Sequence, residues 1–259
     1  MRNRVKEIFS YSDMIGSLVK RELRGKYKGS VLGFLWTFIN PLCQIIVYTI
    51  VFSIILNNEL DQFYVYIITG MIPWLFFDMS LRLGAGSVRY QGEMIKKIYF
   101  PREVLPIACV TAQFINMLFC FVIVFAVLAA SGRGFSAGAL FCLPLIMLIE
   151  YVLTLGLTLI VSSVTVYFKD MEHIITVLLM AWIYLTPILY SIDIVPEKML
   201  WIFRLNPMTS VIEGYHKILY WQQIPEAGLT AWGALFALAA LAAGELIFAR
   251  LDANFAEEL

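Results

Sequence analysis

The sequence predicts an all-α integral membrane protein with six transmembrane helices, an amphipathic N-terminal interface helix and short re-entrant helices between spans five and six. Three observations carry this. Of the 259 residues, 61% are hydrophobic and 15% charged, with a mean hydropathy of +0.80. A soluble domain of this size carries about 45–50% apolar and roughly 25% charged residues, because it must hydrate its outer surface. Six apolar stretches each approach or exceed the ~20 residues that a helix needs to cross a bilayer core of about 30 Å. Finally, Lys and Arg are segregated between the two sets of connecting loops. This composition excludes disorder and an ordinary soluble enzyme. The four cysteines (Cys43, Cys109, Cys120, Cys142) sit in apolar runs with no CxxC or Cys/His cluster, which excludes a disulfide scaffold and a zinc site. With 19 basic and 19 acidic residues, net charge points to no partner.

The chain reads as a single transmembrane domain over 1–259. An interface helix occupies 1–30, the bundle 34–249 and a tail 250–259. Within the first segment, residues 12–28 place Ile15, Leu18, Val19, Leu23 and Tyr27 on one helical face and Lys20, Arg21, Arg24 and Lys28 on another. Such a helix rests in the headgroup layer. It either anchors and orients the chain or holds lipid phosphates or a partner.

The spans fall at about 34–56, 62–81, 104–130, 139–167, 172–191 and 229–249. The first lies too far into the chain and is too long for a cleavable signal. Eight Lys/Arg precede it, five lie between spans two and three, and Lys169 and Arg250 follow spans four and six. The other side carries only Arg133, Lys198, Arg204 and Lys217. The positive-inside rule therefore puts both termini and the 82–103 loop in the cytoplasm. In that loop, Gly92–Pro106 predicts a short helix stopped by Pro101. Its Lys96, Lys97 and Arg102 either meet acidic groups on a soluble partner or form an ordinary basic inner loop. Residues 192–228 are too polar to span, yet they suit two short amphipathic helices joined at Asn206-Pro207, since Pro starts one helix and ends another. These lie flat in the outer interface or, as favoured here, dip back around a pathway.

Several polar residues fall inside the spans. Glu150 is near the middle of span four, where a carboxylate costs roughly 2.5–3.5 kcal/mol unless it faces protein or water. Thr154, Thr158, Ser162 and Thr165 continue its face. Span three carries Gln113, Asn116 and Cys120, and span one carries Asn40, Gln44, Tyr48 and Phe52. Such stripes either line a hydrated route or join helices by hydrogen bonds. For Glu150, packing or pairing stands slightly ahead of a substrate role.

Catalytic signals are weak. Gly134–Gly138 (GFSAG) matches G-x-S-x-G, but it lies in a short loop between helices rather than above a parallel sheet. His173 and His216 fall on opposite sides of the membrane. No HExxH and no G-x-x-x-x-G-K-[ST] occurs. Any ATP-driven work therefore requires another polypeptide.

The stretch Arg21–Leu42 (RELRGKYKGSVLGFLWTFINPL) resembles the entry to the first span in permease subunits of polysaccharide-exporting ABC transporters, the type-2 permeases that handle O-antigen, teichoic acid and capsule-like polymers. IYFPREVL (98–105), YFKD (167–170) and LNPM (205–208) agree in order, and the resemblance spans nearly the whole chain. It implies a homodimer in the bacterial cytoplasmic membrane paired with two ATP-binding cassette subunits. ATP and Mg would be bound by that partner, and this chain would hold no cofactor and no metal and bind no nucleic acid. It also implies coupling to the ATPase through Lys96, Lys97, Phe100, Pro101, Arg102, Phe168, Lys169 and Asp170. An aromatic channel would include Tyr48, Phe52, Tyr184 and Tyr190, with Glu150 as a further channel candidate, and rings of this kind suit sugars. Arg21 and Arg24 would meet the anionic head of a lipid-linked glycan, and Trp201, Asn206 and Pro207 would form an outer gate. Lysine stands at 169 and 217 where the family often has arginine, which keeps the charge without the bidentate fork. The expected cargo is a lipid-linked polysaccharide. The alternatives are an ABC exporter of a small lipid or drug and, from another class, a membrane enzyme acting on lipid-linked sugar.

Overall fold

The computed structural model describes residues 7–25, 32–55 and 60–258. Tyr27, Lys28 and the expected end of span one at 56 lie outside them. All regular structure in the described residues is helical. Helix α1 is Ser12–Gly25, α2 is Trp36–Thr49, α3 is Phe63–Ala85, α4 is Gly92–Lys97 and α5 is Val104–Ala130. Then follow α6 (Leu143–Tyr167), α7 (Met171–Trp182), α8 (Leu200–Leu205), α9 (Pro207–Tyr215), α10 (Ala227–Leu251) and α11 (Phe255–Glu258).

Helix α3 is the hub. Its apolar residues are spread around the whole circumference, the signature of a helix with no solvent face, and its Asp78 and Arg82 pair with each other at 2.7 Å. Helices α2, α5, α6, α7 and α9 all pack on it, and Val65, Ile67, Phe77 and Leu81 are fully buried. Helices α6 and α10 pack along their lengths. They meet at a reciprocal glycine pair. A Cβ on Gly156 would sit 2.4 Å from the Ala240 carbonyl carbon, and one on Gly244 would sit 2.4 Å from the Gly156 oxygen. On α10, Gly233, Ala237 and Gly244 form the buried stripe. Small residues at helical spacing let apolar helices approach closely where no hydrophobic drive separates lipid from side chain.

Five helical segments are long and apolar enough to cross a membrane: Gly33–Ser53, Phe63–Ala85, Val104–Ala130, Ala137–Tyr167 and Ala227–Asn254. They match the expected spans one to four and six within a few residues. The stretch expected as span five is shorter. Met171–Trp182 with the turn Ile183–Leu185 reaches roughly 24 Å, against about 30 Å of hydrocarbon. The helix ends because Thr186 precedes Pro187 and is driven to extended backbone (φ −122°, ψ 133°). Large apolar side chains stay exposed on the outer helices, among them Val47, Val122, Leu148, Val177 and Leu238. A water-facing surface of this kind would aggregate, whereas lipid or another apolar helix satisfies it.

A second core closes the Lys/Arg-rich end. Leu18 and Val19 of α1 pack with Val104, Leu105 and Ala108 of α5, and Phe248 and Phe255 join them from the C-terminal segment. The expected amphipathic helix thus exists as α1, with Lys20, Arg21 and Arg24 exposed.

Substituting Gly156 by Val should destabilise the bundle by about 1–3 kcal/mol through overpacking. Gly228→Ala on α10, where nothing lies within 4 Å, should leave stability unchanged. Melting midpoints of the purified chain in lipid nanodiscs check both expectations.

Candidate functional site

The Lys/Arg-rich end carries two loops that the sequence singled out separately, and the structure joins them. Arg89 pairs with Glu172 at 3.0 Å. The Tyr90 hydroxyl donates to the other Glu172 oxygen at 2.6 Å. This bond, with burial and the carboxylate charge acting in the same direction against Arg89, holds the Tyr90 phenol above its ordinary pKa. The segment containing Phe168, Lys169 and Asp170 is therefore tied to the one containing α4. All three residues are exposed, as are Lys96 and Lys97. Tyr99, 82% exposed, and Ile98 stand beside the lysines. This surface mixes exposed aromatics with ammonium groups.

Phe100 and Arg102 behave differently. Phe100 is buried in the second core. The Arg102 guanidinium pairs with Asp252 at 3.0 Å, also donates to the Asp252 carbonyl oxygen, and lies 5.8 Å from the Phe255 ring. Together with Pro101 these residues wall a cleft of about 420 Å³ shared with Glu7 and Asp252. Arg102 thus braces the chain's own C-terminal segment, and sequence reading missed its partner. Tyr167 and Phe248 pack on the same Phe255 ring.

Arg21 and Arg24, with Lys20, line an open basin of about 880 Å³ between α1 and the entry to α2. Phe34 forms its apolar wall.

Two of the aromatic candidates, Tyr48 and Phe52, begin a ladder of rings. Tyr48 and Phe52 are 6.4 Å apart, Phe52 meets Phe63 at 6.4 Å, and Phe63 stacks on Tyr66 at 6.2 Å. Tyr66 stacks on His216 at 3.8 Å and meets Tyr220 edge-on at 5.2 Å. Tyr190 joins through backbone, since its carbonyl accepts from the Tyr66 hydroxyl at 3.0 Å and its own hydroxyl donates to the Tyr184 carbonyl at 2.5 Å. Tyr184 itself is 60% exposed.

Glu150 stands apart from this ladder. It is fully buried and accepts from the Tyr215 hydroxyl at 2.6 Å. None of these clefts is lined by Glu150, and its second oxygen, Oε1, has no hydrogen-bond partner. Its stripe is likewise internal. The Ser162 and Thr165 hydroxyls donate back to carbonyls of their own helix, a common way to satisfy a hydroxyl where water is absent. The stripes of spans one and three do converge. Asn40 and Gln44 from α2 face Gln113, Asn116 and Cys120 from α5 across a cleft of about 310 Å³.

At the opposite end, Asn206 is a bracket rather than a free loop residue. Its Oδ1 accepts from Met208 N at 3.0 Å and from Trp182 Nε1 at 2.9 Å. Its Nδ2 donates to the Leu185 carbonyl and the Thr186 hydroxyl, both at 2.9 Å. One amide therefore caps α9, with Pro207 at its first turn, and closes the end of α7. Trp201 is 61% exposed on a vestibule of about 1060 Å³, shared with Trp221, Trp232, Arg204 and Lys217. Nearby, Arg133 donates to Asp61 and Gln62 and lies 4.1 Å from the Tyr220 ring. It knits three connections together. Ser136 of the GFSAG loop precedes a short helical turn, while His216 is fully buried against Tyr66 and Gly70.

A family model described as ABC-2 type transporter matches residues 14–220. The chain is 31% identical over 257 residues to the O-antigen export system permease protein RfbA of Myxococcus xanthus, covering 98% of each. It is 30% identical over 252 residues to the protein of the same name from Klebsiella pneumoniae, covering 95% of each. With the polysialic acid transport protein KpsM of Escherichia coli it shares 23% identity over 241 residues, covering 90% of this chain and 92% of that one.

Asn206→Ala removes four hydrogen bonds and should cost about 2 kcal/mol or more, read as a lower melting midpoint. Arg102→Ala should speed hydrogen exchange over 252–258 and leave α3 protected.

Proposed function

The chain belongs to the ABC-2 type transporter family, and on that premise we propose that it moves lipid-linked polysaccharide across the bacterial cytoplasmic membrane as the membrane subunit of an ATP-driven exporter. The observation that carries this is near full-length similarity to two O-antigen export permeases. A polymer of O-antigen or capsule type is favoured over a small lipid or drug because the relatives at 31% and 30% identity and the one at 23% are all named for export or transport of such polymers. A membrane enzyme needs a nucleophile and base at one depth. Ser136 and the buried His216 share no hydrogen bond, and among the described residues no group of His, Cys, Asp and Glu could hold a metal.

In this reading two copies of the chain form the conduit, each with a separate ATPase subunit that binds ATP and Mg. The Lys/Arg-rich end faces the cytoplasm, with both termini there. Met171–Leu185 crosses as a shortened fifth span, and 186–226 completes the outer half. Lys96 and Lys97 with Tyr99, and Phe168–Asp170, form the coupling surface. The Arg89–Glu172–Tyr90 bonds support this, because a push on either loop moves the other. Arg102 and Phe100 act behind that surface, transmitting motion to α10 through Asp252 and Phe255. The basin of Lys20, Arg21 and Arg24 receives the phosphate of the lipid carrier. Tyr48, Phe52, Tyr184 and Tyr190 present ring faces to passing sugars, and Trp201 with the Asn206-Pro207 bracket forms the outer gate. ATP closes the ATPase pair, and its differential affinity for the two states shifts the spans from one arrangement to the other.

Cells lacking the chain should accumulate lipid-linked polysaccharide on the inside and lose it from the surface, and unchanged surface polymer would refute the reading. Lys96→Glu with Lys97→Glu should uncouple ATP hydrolysis from export while the dimer stays folded. Adding Arg102→Glu would confuse this result by breaking an internal ion pair. Tyr48→Ala with Tyr184→Ala should slow export of long chains, measured as a shift of surface polymer to shorter lengths.

A further inference from the structure

The cleft between α2, α3 and α5 holds polar groups that no helix contact explains. Asn116 is 7% exposed, and its Oδ1 has no hydrogen-bond partner. Its Nδ2 donates to Gln113 Oε1 at 3.3 Å on the same helix. Across the cleft, the side chains of Asn40 and Gln44 make no hydrogen bond with the described residues. Amides that served to join α2 to α5 would pair with each other across the gap. Instead both helices turn amides into about 310 Å³ of space, near the lower end of the range for small-molecule sites. A buried unsatisfied amide is costly, and among the buried unpartnered side-chain atoms Asn116 Oδ1 is the one that borders this cleft, where an occupant can satisfy it.

The wall chemistry selects that occupant. No Lys, Arg, Asp or Glu lines the cleft, so a phosphate or carboxylate finds no counter-charge. An acyl or polyprenyl chain would leave the Asn40 and Gln44 amides and Asn116 Oδ1 unpaired. An amide both donates and accepts, as a hydroxyl does. Trp36 and Phe76 add flat apolar faces for the C–H side of a ring. We infer that this cleft is a subsite for a neutral sugar unit of the transported polymer, held at membrane depth by Asn40, Gln44, Gln113 and Asn116. The inference rests on the exporter reading and deepens it.

The test replaces the chromosomal copy with Gln44→Leu, Asn116→Leu or Gln44→Asn and measures surface and retained polysaccharide per cell. Melting of the purified transporter is measured in parallel. Gln44→Leu, which removes an amide with no partner among the described residues, should leave the melting midpoint unchanged or raised, whereas Asn116→Leu also takes the donor from Gln113 Oε1 and should lower it. Export by each Leu variant should nevertheless fall about fivefold or more, the scale of one lost hydrogen bond. Gln44→Asn, which keeps the amide, should stay within about twofold of wild type. Wild-type export by the Leu variants overturns the inference, as does a water-filled cleft in which Gln44→Asn and Gln44→Leu behave alike. If Asn116→Leu fails to reach the membrane, the half-exposed Gln44 position decides alone. Wild-type cells that export no polysaccharide would instead sink the exporter reading.

Discussion

At membrane depth there is no water to satisfy a polar atom, and the architecture follows from that constraint. A buried polar group there is costly unless it finds a partner within protein or faces something hydrated. Glu150 finds Tyr215 through one oxygen, Ser162, Ser163 and Thr165 of α6 return to their own backbone, and Asn206 uses its whole amide on four partners, while Glu150 Oε1 and the Thr154 and Thr158 hydroxyls stay without one. Helix α3 is enclosed by its neighbours because its polar groups are mostly answered within the helix: Asp78 pairs with Arg82 and the Thr69 hydroxyl donates to the Tyr66 carbonyl. The amide cleft differs from the other buried sites because its unpartnered atom, Asn116 Oδ1, borders open space, and an open polar site in an apolar medium is where a ligand has the most to gain.

The two ends of the bundle are stiffened in different ways. At the Lys/Arg-rich end, ion pairs and an aromatic cluster connect residues far apart in sequence, so α4, the 168–172 segment and the C-terminal helix form one unit. At the other end, Arg133 and Asn206 fix short connections whose helices are themselves only a few turns long. Stiff ends joined by close-packed helices transmit a rigid-body motion with little loss, because packed interfaces switch between discrete arrangements rather than deform smoothly. Such a design suits a machine driven from one end.

Much of this was legible in the sequence. Span three was read as 104–130 and observed as Val104–Ala130, because apolar length is a local property. The stretch expected as a fifth span, 172–191, holds a shorter apolar helix, since hydropathy continues through Leu185 to Tyr190 while Pro187 ends the helix. Arg102 looked like a free loop cation because its partner, Asp252, lies 150 residues away. Three polar stripes looked alike by spacing, and only packing separated the internal one on α6 from the two that meet in a cleft. Asn206 was noticed for the proline after it, whereas its role comes from Trp182, Leu185 and Thr186, which no local pattern announces.

Reconstitution in sealed vesicles tests the central claim most directly. The chain is incorporated with and without its separately expressed ATPase, and movement of lipid-linked polysaccharide across the bilayer is followed after adding ATP. The account requires translocation only when chain, ATPase and ATP are all present. Translocation by the chain alone, or none with all three, would contradict it.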